Sequence, residues 1–145
     1  MGQVILLVED SDDDAVLTRM AFEKARITNP VVRVSDGVEA LDYLFAREAY
    51  RDRNPGDLPV VALLDLKLPR MSGIDVLKAI RADEGTKNLP VVILTSSAED
   101  KDRLAAYGHY TNSYVQKPVD YNQFVETARQ LGLYWAMLNL PSPRP

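Results

Sequence analysis

Five short strand-like runs, four of them made mostly of branched apolar residues, alternate with stretches of helical periodicity, and this pattern constrains the fold of the chain more than any other feature of its sequence. The runs are Val4–Val8, Val31–Val34, Val60–Asp65, Val91–Thr95 and Ser113–Gln116. The first run is apolar at every position, which is typical of a central parallel strand covered by helices on both faces. This alternation predicts an α/β fold with one doubly wound, mostly parallel sheet and right-handed crossovers.

Helical periodicity fills the intervals between these runs. Apolar residues recur at spacings of three and four in three segments, which predicts helices with one apolar face. The positions are Leu17, Met20 and Ala21, then Leu41 and Leu44, then Ile74, Leu77 and Ile80. A weakly apolar fourth helix is predicted over about 99–107, and a long last helix is predicted after Asp120. Residues 46–59 are polar and rich in turn signals, so we interpret them as a solvated connection.

Length and composition favour one globular domain without covalent staples. The chain has 145 residues, a formal charge of −4 and no cysteine. The lack of cysteine excludes disulfides, zinc–thiolate sites and thiol catalysis, and the negative charge argues against a nucleic-acid-binding module. No apolar run approaches the roughly 20 residues that span a bilayer, and no signal peptide is recognisable. We therefore expect a cytoplasmic protein that binds neither nucleic acid nor membrane.

Acidic residues are concentrated in the first half of the sequence. Residues 1–65 contain 13 acidic and 7 basic side chains, whereas residues 66–145 contain 8 acidic and 10 basic ones. A cation-binding site is therefore expected among the early acids. Taken alone, the acidic run at 9–14 is better explained as a helix start, because acidic side chains cap and complement a helix N-terminus.

Polar residues follow the predicted strands at the edge where ligands bind. Glu9 and Asp10 follow the first strand, and Asp65 ends the third. Thr95 ends the fourth strand, and Lys117 follows the fifth. Open α/β sheets bind ligands at the carboxyl ends of their strands, so we expect these side chains to converge. Three adjacent carboxylates repel one another unless their pKa values rise or a cation binds, and oxygen ligands without His or Cys suit Mg²⁺.

This combination of residue types also predicts a reaction. With a divalent cation nearby, the Asp65 carboxylate stays deprotonated and can attack phosphorus, which forms an aspartyl phosphate. The Thr95 hydroxyl and the Lys117 ammonium would then face phosphoryl oxygens, over which the negative charge of the transition state is spread.

Two other readings of the same topology fit less well. A flavodoxin-like cofactor binder needs a phosphate loop rich in Ser, Thr and Gly, where this chain has the acidic residues 9–14. A phosphatase of the haloacid dehalogenase type carries its nucleophilic Asp on the first strand, with a second Asp two residues later. Asp65 and Lys67 meet neither requirement.

Taken together, the strand-end motifs resemble the receiver-domain signature of two-component response regulators. The motifs are Val8-Glu9-Asp10, Leu64-Asp65 with Pro69 and Gly73, Leu94-Thr95-Ser96, and Lys117-Pro118. They occur in the family's order and spacing over residues 3–135. The resemblance implies a flavodoxin-like, five-stranded parallel sheet of order 2-1-3-4-5, which places strands one and three side by side, and an extended C-terminal helix.

The resemblance also implies a role for each acidic residue of the site. Asp65 would be the phosphoacceptor for a histidine kinase. Asp10 and Asp65 would bind Mg²⁺ directly, Glu9 would act mostly through water, and the backbone carbonyl of Lys67 would complete the protein ligands.

A conformational switch is implied in the same way. Thr95 and Tyr114 would form the switch pair of the family, and the Lys117–Pro118 peptide bond would be cis. Beyond its own phosphotransfer and dephosphorylation, such a protein would catalyse no reaction.

Within the family, the chain is most similar to the stand-alone response regulators of bacterial and cyanobacterial phytochromes. This likeness rests on residues 40–45, the polar loop after them, residues 112–114 and a last helix that carries Trp135. It implies a phytochrome-type photoreceptor kinase as the partner. We expect a receiver domain over 1–140, a disordered tail over 141–145 and no output domain, so that signalling passes by protein contact. A phosphate sink and a pseudo-receiver interaction module are the alternatives.

The last predicted helix carries apolar side chains on more than one face. The stripe that includes Phe124 and Ala128 can dock on the sheet, but further apolar residues point elsewhere. We expect a face for binding a partner, formed by Leu131, Leu133, Tyr134 and Met137. Receivers often pair through the fourth helix, fifth strand and fifth helix, so the resemblance favours a homodimer through these elements. The alternative is that this segment folds back on its own domain.

Overall fold

The computed structural model describes residues 4–95 and 113–130 and contains one five-stranded parallel sheet. The strands are β1 (Ile5–Val8), β2 (Val31–Val34), β3 (Val61–Asp65), β4 (Val91–Thr95) and β5 (Ser113–Gln116). The helices are α1 (Asp12–Lys24), α2 (Gly37–Leu44), α3 (Gly73–Ala82) and a last described helix (Tyr121–Gln130). The strand order is β2-β1-β3-β4-β5, which confirms the predicted fold class.

The strands begin and end close to their predicted limits. β1 and β3 each start one residue later than predicted, although the Val60 N–H still donates to the Val4 carbonyl at 2.8 Å. The central pair β1–β3 aligns Val8 with Leu64, and β3–β4 aligns Asp65 with Leu94. The carboxyl ends of β1, β3 and β4 therefore lie side by side.

The alternation of side chains along each strand creates two separate apolar cores. Leu6 and Leu64 pack with α2 and α3 on one face, and Leu7 and Leu63 pack with α1 and the last helix on the other. The Phe22 and Phe124 rings join α1 to the last helix at a centroid distance of 4.7 Å. Because both faces of the sheet are covered, its strands need apolar residues at successive positions.

Three helices begin at a side-chain cap that the sequence supplies locally. The Asp14 N–H donates to Ser11 Oγ, the Glu39 N–H to Asp36 Oδ1, and the Asp75 N–H to Ser72 Oγ. Such caps satisfy amide groups that the first turn of a helix leaves without partners. The acidic residues 12–14 accordingly form the first turn of α1, as predicted.

The 46–59 segment is anchored to α2. The sequence predicts only a solvated connection here, without this contact. It contains a 3₁₀ turn over Glu48–Tyr50. The Tyr50 hydroxyl donates to Glu39 Oε2 at 2.7 Å, and its ring meets the Tyr43 ring edge-on at 5.2 Å. The Arg53 guanidinium lies over the Tyr43 ring at 3.8 Å. These aromatic and basic side chains make a polar loop part of the folded domain.

Some sequence predictions fall outside the described residues. These are the helix over 99–107, the extension of the last helix beyond Gln130, the tail, and the proposed partner face of Leu131, Leu133, Tyr134 and Met137. Within the described ranges, none of the helices combines the length and apolar character needed to cross a bilayer.

Gly73 provides a test of how tightly α3 packs against the end of β3. A Cβ at this position would lie 2.4 Å from the Asp65 carbonyl oxygen and 2.9 Å from Leu66 Cα. We expect Gly73→Ala to lower the free energy of unfolding by about 1–3 kcal/mol, because both neighbours are backbone and must move. Urea unfolding measures the change.

Gly56→Ala is the matched control for this substitution. Its Cβ would meet only the Asn54 side-chain oxygen, at 3.3 Å, and Gly56 is exposed. Equal unfolding free energies for the two variants would contradict the close approach of α3 to β3.

Candidate functional site

Asp65 lies at the carboxyl end of the central strand β3, with its side chain only 10% exposed. The Lys67 backbone N–H donates to Asp65 Oδ1 at 3.2 Å. The Leu66 N–H donates to the Leu94 carbonyl at 3.1 Å, which continues the β3–β4 pairing past the strand end. One carboxylate oxygen of Asp65 is thus held by the loop, while Oδ2 faces the rest of the site.

The two acidic residues after β1 occupy different environments. Glu9 is completely buried, whereas Asp10 is exposed. The Glu9 backbone is fixed by β2: its N–H donates to the Val34 carbonyl, and its carbonyl accepts from Arg33 Nε, both at 3.0 Å. The Ser11 N–H donates to Glu9 Oε2 at 3.2 Å. The direction of the Glu9 side chain is therefore set by the backbone on both sides of it.

Carboxylate oxygens of Glu9, Asp10 and Asp65 lie within 4.8 Å of one another. Burial raises the pKa of Glu9 to about 7, the Lys117 contact opposes this rise, and nearby Asp65 adds to it. Glu9 Oε1 is buried, and its close contact with the Lys117 ammonium is an ion pair without hydrogen-bond alignment. Three hard oxygen donors within this distance fit a divalent cation such as Mg²⁺.

The Lys117 side chain crosses the site from the end of β5. Its Nζ lies 2.8 Å from Glu9 Oε1, and it donates to Oδ2 of Asp14 and Oδ2 of Asp65, each at 2.9 Å. Burial lowers the pKa of Lys117, but the contacts with these three carboxylates outweigh burial and raise it above its usual range. The ammonium therefore stays charged and neutralises part of the acidic cluster.

The backbone after β5 is also fixed at this edge of the sheet. The Lys117 N–H donates to the Thr95 carbonyl at 2.7 Å. The Lys117–Pro118 peptide bond is cis, as the sequence resemblance implied. Thr95 is buried at the end of β4, one residue beyond the partner of Asp65. The structure thus brings Thr95 to the same edge as the carboxylates and the lysine.

The structure describes only the backbone of Tyr114, and it places Lys67 at the surface of the site. The Tyr114 backbone lies in β5 opposite Ile93, and its side chain belongs to the undescribed part of the chain. Lys67 is exposed and lies beside Asp10 at a cleft of about 510 Å³. This cleft leaves room for an incoming group next to the exposed carboxylate of Asp10.

Asp14 is the site residue that sequence reasoning missed. The sequence places it only in the acidic start of α1, yet its carboxylate accepts a hydrogen bond from Lys117, 103 residues further along the chain. The available signal was its place in the first turn of a helix that starts directly after β1. The neighbouring Asp12 instead pairs with Arg33 at 2.7 Å.

Comparisons with known proteins agree with this geometry. The family model for the response regulator receiver domain matches residues 5–129. The probable methanogenesis regulatory protein FilR2 of Methanothrix harundinacea is 39% identical over 142 residues, which cover 98% of this chain and 88% of the relative. The solved structure of the bacteriophytochrome response regulator RtBRR is 45% identical, with a TM-score of 0.88, and the match covers 99% of this chain and 86% of that chain. The Mn²⁺-bound form of response regulator Rcp1 is 30% identical, with a TM-score of 0.73, and the match covers 97% of this chain and 99% of that chain. The chain therefore belongs to the response regulator receiver family.

Proposed function

We propose that this protein accepts a phosphoryl group on Asp65 from a histidine kinase and signals through the resulting change at the edge of its sheet. The observation that carries this proposal is the contact of Lys117 Nζ with Asp65 Oδ2 at 2.9 Å, beside the buried Glu9 and the exposed Asp10. A nucleophilic carboxylate, a fixed cation and further acidic ligands are the groups that phosphoryl transfer requires.

The reaction follows from the position of each group. An oxygen of Asp65 forms a bond to phosphorus, and the bond between phosphorus and the kinase imidazole nitrogen breaks, with its electron pair left on that nitrogen. Asp65 Oδ1 accepts from the Lys67 N–H, which limits rotation of the attacking carboxylate. Lys117 faces the developing charge on one phosphoryl oxygen, and the Thr95 hydroxyl is proposed to face another.

Magnesium is the cofactor proposed for this site. Asp10 and Asp65 would hold it directly, with Glu9 acting through water and the Lys67 backbone carbonyl as a further ligand. When bound, the cation supplies positive charge to the carboxylates and to phosphoryl oxygens. The close approach of carboxylate oxygens of Glu9, Asp10 and Asp65 and the Mn²⁺-bound form of the similar regulator Rcp1 support this assignment.

The metal assignment is tested by titrating Mg²⁺ into the free protein with a calorimeter. We expect one site in the wild type and an affinity more than about tenfold lower in Asp10→Asn, because the exposed ligand loses its charge. Asp13→Asn is the matched control, since Asp13 is an exposed acid in the first turn of α1. Equal affinities for the two variants would remove Asp10 from the metal site.

Phosphorylation is tested with acetyl phosphate and Mg²⁺ by intact-protein mass spectrometry. We expect the wild type to gain one phosphoryl group and Asp65→Asn to gain none, because the amide is not a nucleophile for phosphorus. Asp57→Asn, at an exposed acid in the 46–59 segment, should be labelled like the wild type. One equivalent of label on Asp65→Asn would overturn the assignment of the phosphoacceptor.

Phosphorylation would act by shifting a population between two conformations. The active one is proposed to bring Thr95 toward the phosphate and to pack Tyr114 inward, which alters the face formed by the predicted fourth helix, β5 and the last helix. This requires the phosphoryl group to interact better with one conformation than with the other. We propose that this face mediates homodimer formation and protein contacts. A role as a phosphate sink is the alternative, and it needs no downstream partner.

The proposed kinase is a phytochrome-type photoreceptor, because RtBRR is a bacteriophytochrome response regulator and is 45% identical to this chain. A phosphotransfer profile against all histidine kinases of the source organism tests this. We expect transfer to be fastest from a phytochrome-type kinase, and the rate to change between its dark and illuminated forms. A kinetic preference for a kinase without a photoreceptor module would contradict the proposed partner.

A further inference from the structure

Lys117 makes two directed hydrogen bonds, and only one of them goes to the proposed phosphoacceptor. Its Nζ donates to Oδ2 of Asp65 and to Oδ2 of Asp14, each at 2.9 Å. The third carboxylate, Glu9, forms an ion pair with the ammonium at 2.8 Å, without hydrogen-bond alignment at its Oε1. Asp14 is therefore a hydrogen-bond partner of the ammonium that lies outside the acidic cluster of Glu9, Asp10 and Asp65.

The Asp14 backbone is held on both sides within the first turn of α1. Its N–H donates to the Ser11 hydroxyl at 3.2 Å, and its carbonyl accepts from the Thr18 hydroxyl at 2.9 Å. A short side chain on a fixed helical turn loses little freedom when it accepts a bond. Lysine, in contrast, is among the side chains that lose most rotamer freedom when they are ordered. The rigid member of this pair is Asp14, and the flexible member is Lys117.

Phosphorylation changes the other directed partner of Lys117. When an oxygen of Asp65 bonds to phosphorus, the carboxylate becomes an acyl phosphate and its negative charge moves to the phosphoryl oxygens. The ammonium must then exchange a carboxylate oxygen for a phosphoryl oxygen. Asp14 takes no part in this exchange and can keep hold of the ammonium throughout.

We propose that Asp14 is a positioning residue that holds the Lys117 ammonium at the phosphorylation site while its partner changes from carboxylate to phosphoryl oxygen. The proposal rests on the proposed function of Asp65 and adds to it a residue outside the motifs of the sequence. Asp14 touches Lys117 and acts through it.

The acidic start of α1 provides a control for charge alone. Asp12 pairs with Arg33, and Asp13 is exposed at the position directly before Asp14. Asp13→Ala and Asp14→Ala remove the same charge from adjacent positions of the same helical turn, but only the second removes an acceptor from Lys117. Asp14→Asn keeps an acceptor oxygen without the charge.

The first measurement is the rate of phosphorylation by acetyl phosphate at saturating Mg²⁺. We expect Asp14→Ala to lower the maximal rate about tenfold, the effect of one lost charge-assisted hydrogen bond. Asp14→Asn should fall between this variant and the wild type, and Asp13→Ala should stay within about twofold of the wild type. The Mg²⁺ affinities of Asp14→Ala and Asp13→Ala should agree. Equal rates for these two alanine variants, or a rate above wild type for Asp14→Ala, would overturn the proposal.

A second measurement separates this proposal from the proposed function. The ammonium resonance of Lys117 is followed by ¹⁵N NMR in the metal-free, unphosphorylated protein, with Lys117→Met used to assign it. We expect slow proton exchange in the wild type and in Asp13→Ala, and fast exchange in Asp14→Ala. Unchanged exchange in Asp14→Ala would refute the positioning role even if Asp65 is phosphorylated. If the wild type takes no phosphoryl group, the proposed function and the part of this inference that depends on it are refuted. Faster proton exchange in Asp14→Ala would still establish that Asp14 orders the Lys117 side chain.

Discussion

The ammonium of Lys117 among the carboxylates of Glu9, Asp14 and Asp65 is the interaction on which the rest of this site depends. All three contacts are shorter than 3 Å, and Glu9 is fully buried. Carboxylates brought this close repel one another, and burial makes that repulsion stronger. A single lysine offsets part of it from the opposite end of the sheet edge. The acidic residues that remain undercompensated are the ones that a metal ion would satisfy, so the same charge imbalance explains both the lysine and the proposed cofactor.

The sheet makes this arrangement possible because the burial of its apolar side chains offsets the unfavourable free energy of bringing the carboxylates together. Two independent cores cover its faces, and both are filled by alternate residues of the same strands. The burial of these side chains provides the main stabilisation of the fold. Close backbone contacts complete the support, since α3 begins against the Asp65 carbonyl with no room for a side chain at Gly73. Charged groups at the strand ends are therefore held by packing that contains no charge.

The sequence was sufficient to predict the parallel sheet and the convergence of Glu9, Asp10, Asp65, Thr95 and Lys117, because strand order and residue type determine which side chains share an edge. It was not sufficient to predict the Asp14–Lys117 bond or the anchoring of Tyr50 on Glu39. Both depend on how a helix start or a loop lies against another element, and local periodicity carries no such information. The partner face over 131–137 and the switch role of Tyr114 stay predictions.

The backbone hydrogen bonds of the sheet continue past the ends of its strands. The amides of Glu9, Leu66 and Lys117 each donate to a carbonyl of the adjacent strand, at Val34, Leu94 and Thr95. The chain segments that carry the functional side chains are thus extensions of the same cooperative unit as the sheet, not independent loops. Local fraying at this edge would break the pairing of strands as well as the site. The backbone positions of these segments should therefore be retained as long as the domain is folded, and the proposed movement of the Thr95 side chain needs no break in this pairing.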